Sequence, residues 1–251
     1  MDINKVLVVY RTKEKDKLET VLQGLRSLGI SYFAVERMKL AKKHVHNVDM
    51  IISYGGDGTF LRCASFVDDS TPILGVDSDP GTREGFFTRT NCINFTKDFK
   101  KKKHIVSIHR LEAWINGKPW GRLALNEFLI TSEEPYHTAN YELNGEFQKS
   151  SGVLVGTGAG SSAWTKSAGG RRLPFRSKNF QYVVREPYYG KRAGPTKIKQ
   201  LLKSNGCLRI VSKMDGIIVP DSSNEVRQFD EGDVVEIKMS SKPIQFVDLG
   251  R

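Results

Sequence analysis

The first eighty residues alternate between short apolar runs and segments with helical spacing, and this alternation constrains the fold more than any other feature. The apolar runs have the length of single strands and lie at Lys5–Tyr10, Ser31–Val35, Asp49–Tyr54 and Pro72–Val76. Between the first two runs, apolar residues recur at helical spacing until Gly29, a residue type that commonly follows the end of a helix. The pattern predicts a parallel sheet with helices, whose ligands bind at the carboxyl ends of the strands.

The pattern changes after about residue 100, where segments alternate between apolar and polar residues with few helical stretches. The predicted strands are Ile105–Ile115, Leu123–Ile130, Ala139–Phe147, Gly152–Val155, Tyr182–Val184, Leu208–Val211 and Val234–Met239. Asn-Gly and Asp-Gly turns separate several of them, as is typical of antiparallel sheets. We therefore predict an α/β + β chain: an N-terminal α/β domain with a parallel sheet over residues 1–100, and a C-terminal β-rich, β-sandwich-like domain over residues 101–251. Whether the C-terminal end packs back on the first domain stays open.

Composition excludes several classes of protein. The 251 residues carry a formal net charge of +11, and their apolar content is ordinary for a globular protein, which excludes disorder, collagen and coiled coil. The longest apolar runs fall far short of the ~20 residues of a membrane span, and the three cysteines form no C-x-x-C pair. Basic residues are scattered without a nucleic-acid-binding signature. The N-terminal segment shows no signal or transit pattern, so we expect a cytoplasmic protein. The scattered basic residues and the short apolar runs lead us to expect no nucleic-acid partner and no membrane partner.

The strongest local signal is Gly55–Thr59, the sequence GGDGT, between a predicted strand and a predicted helix over Phe60–Phe66. Glycines on both sides of Asp57 allow backbone N–H groups to approach a phosphate, and we expect Thr59 to cap the helix. A carboxylate repels phosphate, so Asp57 suits this place if it takes a proton from a hydroxyl or holds a divalent metal. A tight turn in which Asp57 is only a turn cap fits the spacing equally well.

A second glycine-rich segment, Gly156–Ser167 (GTGAGSSAWTKS), follows another predicted strand. Its third glycine comes one residue too early for the dinucleotide fingerprint, and Thr165 stands where the Walker loop has glycine before its lysine. A strand, a flexible loop and a helix start at Ser161–Ser162 remain, which together are typical of an anion site. The alternative is a turn of small residues that packs closely on a sheet.

Three segments, in order and spacing, resemble the NAD kinase family: Gly55–Thr59, Ala124–Glu127 (ALNE) and Thr157–Trp164 (TGAGSSAW). GGDGT is shared with diacylglycerol, sphingosine and phosphofructo-kinases, whereas the Asn-Glu pair followed by a T-x-x-G-S-x-A-aromatic loop is the specific part. Ser151-Gly152 stands where the commonest bacterial form has Asp-Gly. With Arg185-Glu186-Pro187, this departure places the resemblance closer to the mitochondrial NAD kinase branch.

The resemblance implies an enzyme that transfers the γ-phosphoryl group of ATP to the 2′-hydroxyl of the adenosine ribose of NAD⁺. It implies Mg²⁺ with ATP, NAD as substrate, a homodimer or homotetramer, and an active site between the two domains. Asp57 is the implied catalytic base or hydroxyl-orienting group. The implied nucleotide-binding residues are Gly56, Gly58, Thr59 and Arg62 for phosphate, Asn126 and Glu127 for ribose hydroxyls, Gly160, Ser161, Ser162, Ala163 and Trp164 for NAD, and Phe86 for the wall of the NAD pocket.

Two other functions stay open at this point. A lipid kinase could share GGDGT, but it has no use for Asn126-Glu127 or for the second loop. A non-catalytic NAD(H)-binding sensor could keep the pocket, but it gains nothing from the carboxylate of Asp57. Formation of NADP⁺ from NAD⁺, ATP and Mg²⁺ separates the three readings.

Overall fold

The computed structural model describes residues 2–82, 84–134, 136–190 and 197–250. The chain forms two compact units, one of residues 1–107 with 244–251 and one of residues 108–243. None of the described helices has the length and hydropathy needed to span a membrane.

The first unit is built on a seven-stranded sheet. With strands numbered along the chain, its order is β2 (Ser31–Glu36), β1 (Lys5–Tyr10), β3 (Met50–Tyr54), β4 (Ile73–Asp77), β19 (Ile244–Asp248) and β6 (His104–Ile108), with β5 (Thr88–Asn91) paired to β4. Its helices are α1 (Leu18–Ser27), α2 (Lys42–Val45), α3 (Asp57–Ala64) and α4 (Phe95–Phe99), and short 3₁₀ segments lie at Thr12–Lys17 and Arg37–Lys39. The pairings β1–β2, β1–β3 and β3–β4 are parallel, which confirms the predicted parallel sheet.

The sequence pattern accounts for this sheet. All five residues of β3 and all five of β4 are buried, as expected for parallel strands covered on both faces. Helix α1 buries Leu18, Val21 and Leu25 on one side, and it ends before Gly29, whose φ of 71° suits glycine. Because β1, β3 and β4 run in the same direction, the segments that follow them emerge at one edge of the sheet.

The second unit contains two six-stranded sheets. One has the order β11 (Glu146–Ser150), β10 (Ala139–Leu143), β15 (Cys207–Ser212), β18 (Val234–Met239), β7 (Leu111–Ile115) and β8 (Lys118–Ala124). The other has the order β14 (Lys199–Leu202), β13 (Phe180–Val184), β12 (Val153–Gly156), β9 (Glu127–Ser132), β16 (Gly216–Pro220) and β17 (Arg227–Phe229). A 3₁₀ turn at Gly160–Ser162 and the short helix α5 (Trp164–Ser167) follow β12. One buried apolar cluster draws on strands of both sheets, and this β-sandwich-like unit confirms the predicted fold class.

Three predicted strands were each too long. Residues Ile105–Ile115 form β6 and β7, which belong to different sheets and are separated by His109 and Arg110. The run Ala139–Phe147 turns at Asn144, whose φ is 50°. The run Leu123–Ile130 is interrupted at Leu125–Asn126, between β8 and β9. In that last case the backbone N–H groups bind a side chain, Asp221, in place of a neighbouring strand.

Candidate active site

The GGDGT segment forms the turn from β3 into α3. The helix begins at Asp57 after Gly56, so the predicted helix over Phe60–Phe66 starts three residues too late. Thr59 therefore lies inside the first turn and does not cap the helix; it is 2% exposed, and a Cβ on Gly55 would overlap its hydroxyl. Thr59 packs beneath the loop because Gly55 leaves the space for it.

The carboxylate of Asp57 is held by the backbone that precedes β5. Its Oδ1 accepts the N–H of Phe87 at 2.8 Å, and its Oδ2 accepts the N–H of Phe86 at 3.1 Å. The ring of Phe87 is stacked on that of Phe60, with centroids 4.7 Å apart, and the ring of Phe86 meets Phe87 edge to face. The half-buried carboxylate is thereby fixed in direction, and each oxygen keeps a further lone pair for another partner.

Two arginines differ in how they approach the GGDGT loop. Arg62, predicted as a phosphate ligand, lies on α3 with its guanidinium 4.5 Å from the centre of the Phe66 ring. Arg37 follows β2, and its Nη1 is 3.8 Å from the position that a Cβ of Gly58 would occupy. Sequence reasoning missed Arg37. The signal that could have found it is its place directly after a parallel strand, at the ligand-binding edge of such sheets.

A second carboxylate also lies against the loop. Glu14 follows β1, its side chain is 8% exposed, and it accepts the hydroxyl of Ser78 at 2.6 Å. Its Oε2 is 3.1 Å from the position of a Cβ on Gly55. Glu14 was also missed, because a single glutamate in a charged segment carries no motif.

Asn126 and Glu127 lie at the start of β9 and are 7% and 3% exposed. Within the described part of the chain, neither Asn126 Oδ1 nor Glu127 Oε2 has a hydrogen-bond partner. Burial, with a smaller contribution from the charge of Asp221, raises the pKa of Glu127 to about 8. At neutral pH this pair therefore offers an amide oxygen that accepts and a carboxyl that can donate, and two adjacent hydroxyls match such a pair.

The second glycine-rich loop is fastened to the Asn-Glu segment. The N–H of Thr157 donates to the carbonyl oxygen of Asn126 at 2.9 Å, and its hydroxyl donates to that of Leu125 at 2.6 Å. The same hydroxyl accepts the N–H of Gly160 at 3.0 Å. A Cβ on Gly160 would overlap the Asn126 carbonyl, so glycine permits this close approach.

The remaining predicted residues of the loop differ in what they can offer to a ligand. Ser161 is fully buried, and its hydroxyl donates to Gly158 O at 2.7 Å and accepts the N–H of Leu173 at 2.8 Å. Ser162, Ala163 and Trp164 are partly exposed. The guanidinium of Arg185 lies 4.8 Å from the centre of the Trp164 ring. In place of one helix from Ser161, the loop forms a 3₁₀ turn and then α5.

A fixed carboxylate in a glycine-rich turn and a buried Asn-Glu pair are groups that suit a nucleotide-dependent kinase. Residues 5–102 match the family model described as the ATP-NAD kinase N-terminal domain. This part of the chain resembles the NAD kinase family.

Similar proteins extend over most of the chain. A probable NADH kinase of Oryza sativa is 29% identical over 92% of this chain and 79% of its own length. An NAD kinase of Clostridium tetani is 28% identical over 81% of this chain and 75% of its own. Two crystal structures share the fold with a TM-score of 0.79: the NAD kinase of Archaeoglobus fulgidus in complex with ATP (23% identical, 96% of this chain and 92% of that one) and yeast NADH kinase complexed with NADH (18% identical, 99% and 84%).

Proposed function

We propose that the chain transfers the γ-phosphoryl group of ATP to the 2′-hydroxyl of the adenosine ribose of NAD⁺ or NADH. The match of residues 5–102 to the NAD kinase family model supports this reaction, and relatives named as kinases of NAD and of NADH support both dinucleotides as substrates. The observation that carries the proposal is a pair of buried oxygens, Asn126 Oδ1 and Glu127 Oε2, which have no hydrogen-bond partner among the residues that the structure describes. Buried polar atoms normally have partners, so these two are explained if a ligand hydroxyl completes them.

In the proposed reaction, Asn126 and Glu127 bind the hydroxyls of the adenosine ribose. The loop fastened to them contacts the dinucleotide through its backbone N–H groups and through Ser162, Ala163 and Trp164. Ser161 and Gly160 have a different part: the buried hydroxyl of Ser161 and the missing side chain of Gly160 shape the loop. Phe86 contributes its half-buried ring to the wall and its N–H to Asp57.

Asp57 is the proposed catalytic residue. A ribose hydroxyl is a poor nucleophile at neutral pH, and its proton must leave as the new phosphorus–oxygen bond forms. A carboxylate fixed by two backbone N–H groups can orient that hydroxyl and take its proton, since each oxygen still has a free lone pair.

The phosphates of ATP are proposed to lie at Gly56, Gly58 and the first turn of α3, where backbone N–H groups face outward. Arg37 Nη1 lies 3.8 Å from the position of a Cβ on Gly58, and we propose that Arg37 neutralises phosphate charge and that Arg62 contributes less. The carboxylates of Asp57 and Glu14 are hard oxygen donors that fit Mg²⁺. When bound with ATP, Mg²⁺ supplies charge neutralisation at the phosphates.

The proposal extends to a homodimer or homotetramer in the cytoplasm. Light scattering of the purified chain measures the oligomeric state, and imaging of a tagged chain tests the location.

The decisive test is a coupled assay for NADP⁺ and NADPH formed from NAD⁺ or NADH, with ATP and Mg²⁺. Turnover with either dinucleotide is the expected result. Binding of NAD(H) without turnover on any phosphoryl donor would favour a non-catalytic sensor, and phosphorylation of a lipid alcohol would favour a lipid kinase.

A further inference from the structure

Asp221 lies after β16 and binds three successive backbone N–H groups of the Asn-Glu segment. Its Oδ2 accepts from Leu125 at 2.8 Å, and its Oδ1 accepts from Asn126 at 2.7 Å and from Glu127 at 3.2 Å. Its own N–H donates to the carbonyl oxygen of Glu127 at 2.9 Å, and its φ of 51° is rare outside glycine. The backbone of Asp221 is thus held in an uncommon conformation that closes a ring of hydrogen bonds around the start of β9.

These hydrogen bonds replace the ones that a neighbouring strand would make. At the break between β8 and β9, the N–H groups of Leu125 and Asn126 have no ladder partner, and unpaired buried N–H groups are costly. One carboxylate satisfies both of them and also the N–H of Glu127. The guanidinium of Arg110, a residue only 1% exposed, offsets the charge of Asp221.

The second loop depends on the same segment. Thr157 binds the carbonyl oxygens of Leu125 and Asn126, the two residues whose N–H groups Asp221 holds. Gly160 then packs on the backbone of Asn126. Asp221 therefore supports both the Asn-Glu segment and the second loop of the proposed dinucleotide site. It makes no hydrogen bond to Asn126 Oδ1 or Glu127 Oε2, the oxygens proposed to bind the ligand.

We propose that Asp221 is a positioning residue for NAD(H): its three backbone contacts place Asn126 and Glu127 for the ribose, and Thr157 transmits that placement to the second loop. This inference rests on the proposed function, because it assigns a role within the same site.

Asp221 also acts on Glu127 through its charge. The negative charge of Asp221 contributes to the raised pKa of Glu127, while burial outweighs the three N–H groups and raises the pKa of Asp221 itself to about 6. Arg110 is the cation that acts on Asp221, and Asp221 is the charged group that acts on Glu127. A neutral residue at position 221 must therefore lower the pKa of Glu127, which a purely structural role would not require.

The test compares Asp221→Asn with Asp49→Asn. Asp49 is a matched control, because its Oδ2 accepts the backbone N–H groups of Asn4 and Lys5, both at 2.8 Å, at the start of β1. We expect Asp221→Asn to raise the Kd for NAD⁺ and for NADH at least about tenfold, to leave the KM for ATP within about twofold, and to move the pH midpoint of the change in NAD⁺ affinity to lower pH. Asp49→Asn is expected to leave all three unchanged, whatever its effect on the melting temperature.

A folded Asp221→Asn chain with wild-type NAD⁺ affinity and an unmoved pH midpoint overturns the positioning role alone. A wild-type chain that binds neither NAD⁺ nor NADH overturns the proposed function as well. If Asp221→Asn does not fold, the positioning role is tested in the wild-type chain by measuring NAD⁺ affinity and hydrogen exchange from pH 7.5 down to pH 5. Asp221, with a pKa of about 6, gains a proton over this range. Loss of NAD⁺ affinity together with loss of hydrogen-exchange protection at Leu125, Asn126 and Glu127 supports the role, and unchanged affinity despite lost protection overturns it.

Discussion

The carboxylate of Asp57 accepts the backbone N–H of Phe87 at 2.8 Å, and this bond fixes the direction of the proposed catalytic group before any substrate binds. Preorganisation of this kind removes the need to order the side chain during the reaction. It also ties catalysis to the segment before β5, which carries no catalytic side chain of its own.

Asp57→Asn is expected to lower kcat at least about a hundredfold with little change in the Kd for NAD⁺, because the amide lacks the basicity of the carboxylate. The amide NH₂ must also face one of the two N–H groups, so we expect a loss of about 1–2 kcal/mol in the free energy of unfolding. Steady-state kinetics and urea unfolding measure the two effects. Asp69→Asn is the control, because Asp69 accepts one N–H, that of Thr71, at 2.8 Å. An Asp57→Asn enzyme that retains most of its activity refutes the assigned role.

Trp164 is expected to report the binding of the dinucleotide. Its ring is partly exposed and lies 4.8 Å from the guanidinium of Arg185, so a docked ring would change the surroundings of the indole. Titration with NAD⁺ should change tryptophan fluorescence in the wild type and in Trp120→Phe, but not in Trp164→Phe. A signal that survives in Trp164→Phe would place the dinucleotide elsewhere.

Glu127→Gln is expected to keep the KM for NAD⁺ within about fivefold at pH 7, while Glu127→Ala raises it about tenfold or more. The reason is the pKa of about 8, which leaves the buried carboxyl protonated at pH 7 and close to an amide in its hydrogen bonding. Kinetics of both variants, with melting temperatures to verify folding, provide the measurement. Equal damage from Gln and Ala would mean that the site needs the charged carboxylate.

Stability should decline with pH because of Glu127. A carboxyl whose pKa is raised from 4.5 to about 8 on folding stabilises the folded state below pH 4.5, and this contribution is lost as pH rises toward 8. Urea unfolding at pH 6, 7 and 8 should therefore show a falling free energy of unfolding, and the fall should be smaller in Glu127→Gln. Asp221, whose pKa is raised from 3.8 to about 6, changes the free energy of unfolding mainly below pH 6. Parallel curves for the two proteins would contradict the assignment.

Arg37→Gln is expected to raise the KM for ATP about tenfold, since one charge-assisted contact to phosphate contributes roughly 1.5–3 kcal/mol. Arg26→Gln is the matched control, because Arg26 pairs with Glu19 at 2.7 Å and lies over the Tyr32 ring. Arg62→Gln should have a smaller effect than Arg37→Gln. The reverse order would restore Arg62 as the main phosphate ligand.

The sequence predicted both sheet types because burial on two faces and on one face leave different patterns, as in β3 and in β10. It also indicated the segments of the candidate site, because GGDGT and the Asn-Glu pair are local motifs. The interactions that govern those segments are not local. Asp221 is 94 residues from Glu127, and Phe87 is 30 residues from Asp57.

The break at Leu125–Asn126 in a long predicted strand has a cause that the sequence pattern does not show. Periodicity registers which residues are buried, but it does not register which backbone groups are satisfied by a side chain. The sequence pattern predicts a strand at Leu125 and Asn126 because both residues are buried. Their N–H groups donate to the side chain of Asp221, and this explains why they do not pair with a neighbouring strand. The sequence pattern also does not show the raised pKa of Glu127, which depends on burial and on the charge of Asp221, a residue far away in the sequence.

Strand β19 lies between β4 and β6, where Phe246 pairs with Ile73. On this side of β4, β5 pairs with Gly75–Asp77, but among the described strands β6 has only β19 as its neighbour and waits for it while more than 130 further residues are translated. Closing so long a loop is slow, and an unpaired strand edge attracts other chains. The second unit can complete its sheets earlier, so the first unit, although translated first, is the one whose folding must wait and for which chaperone binding would matter most.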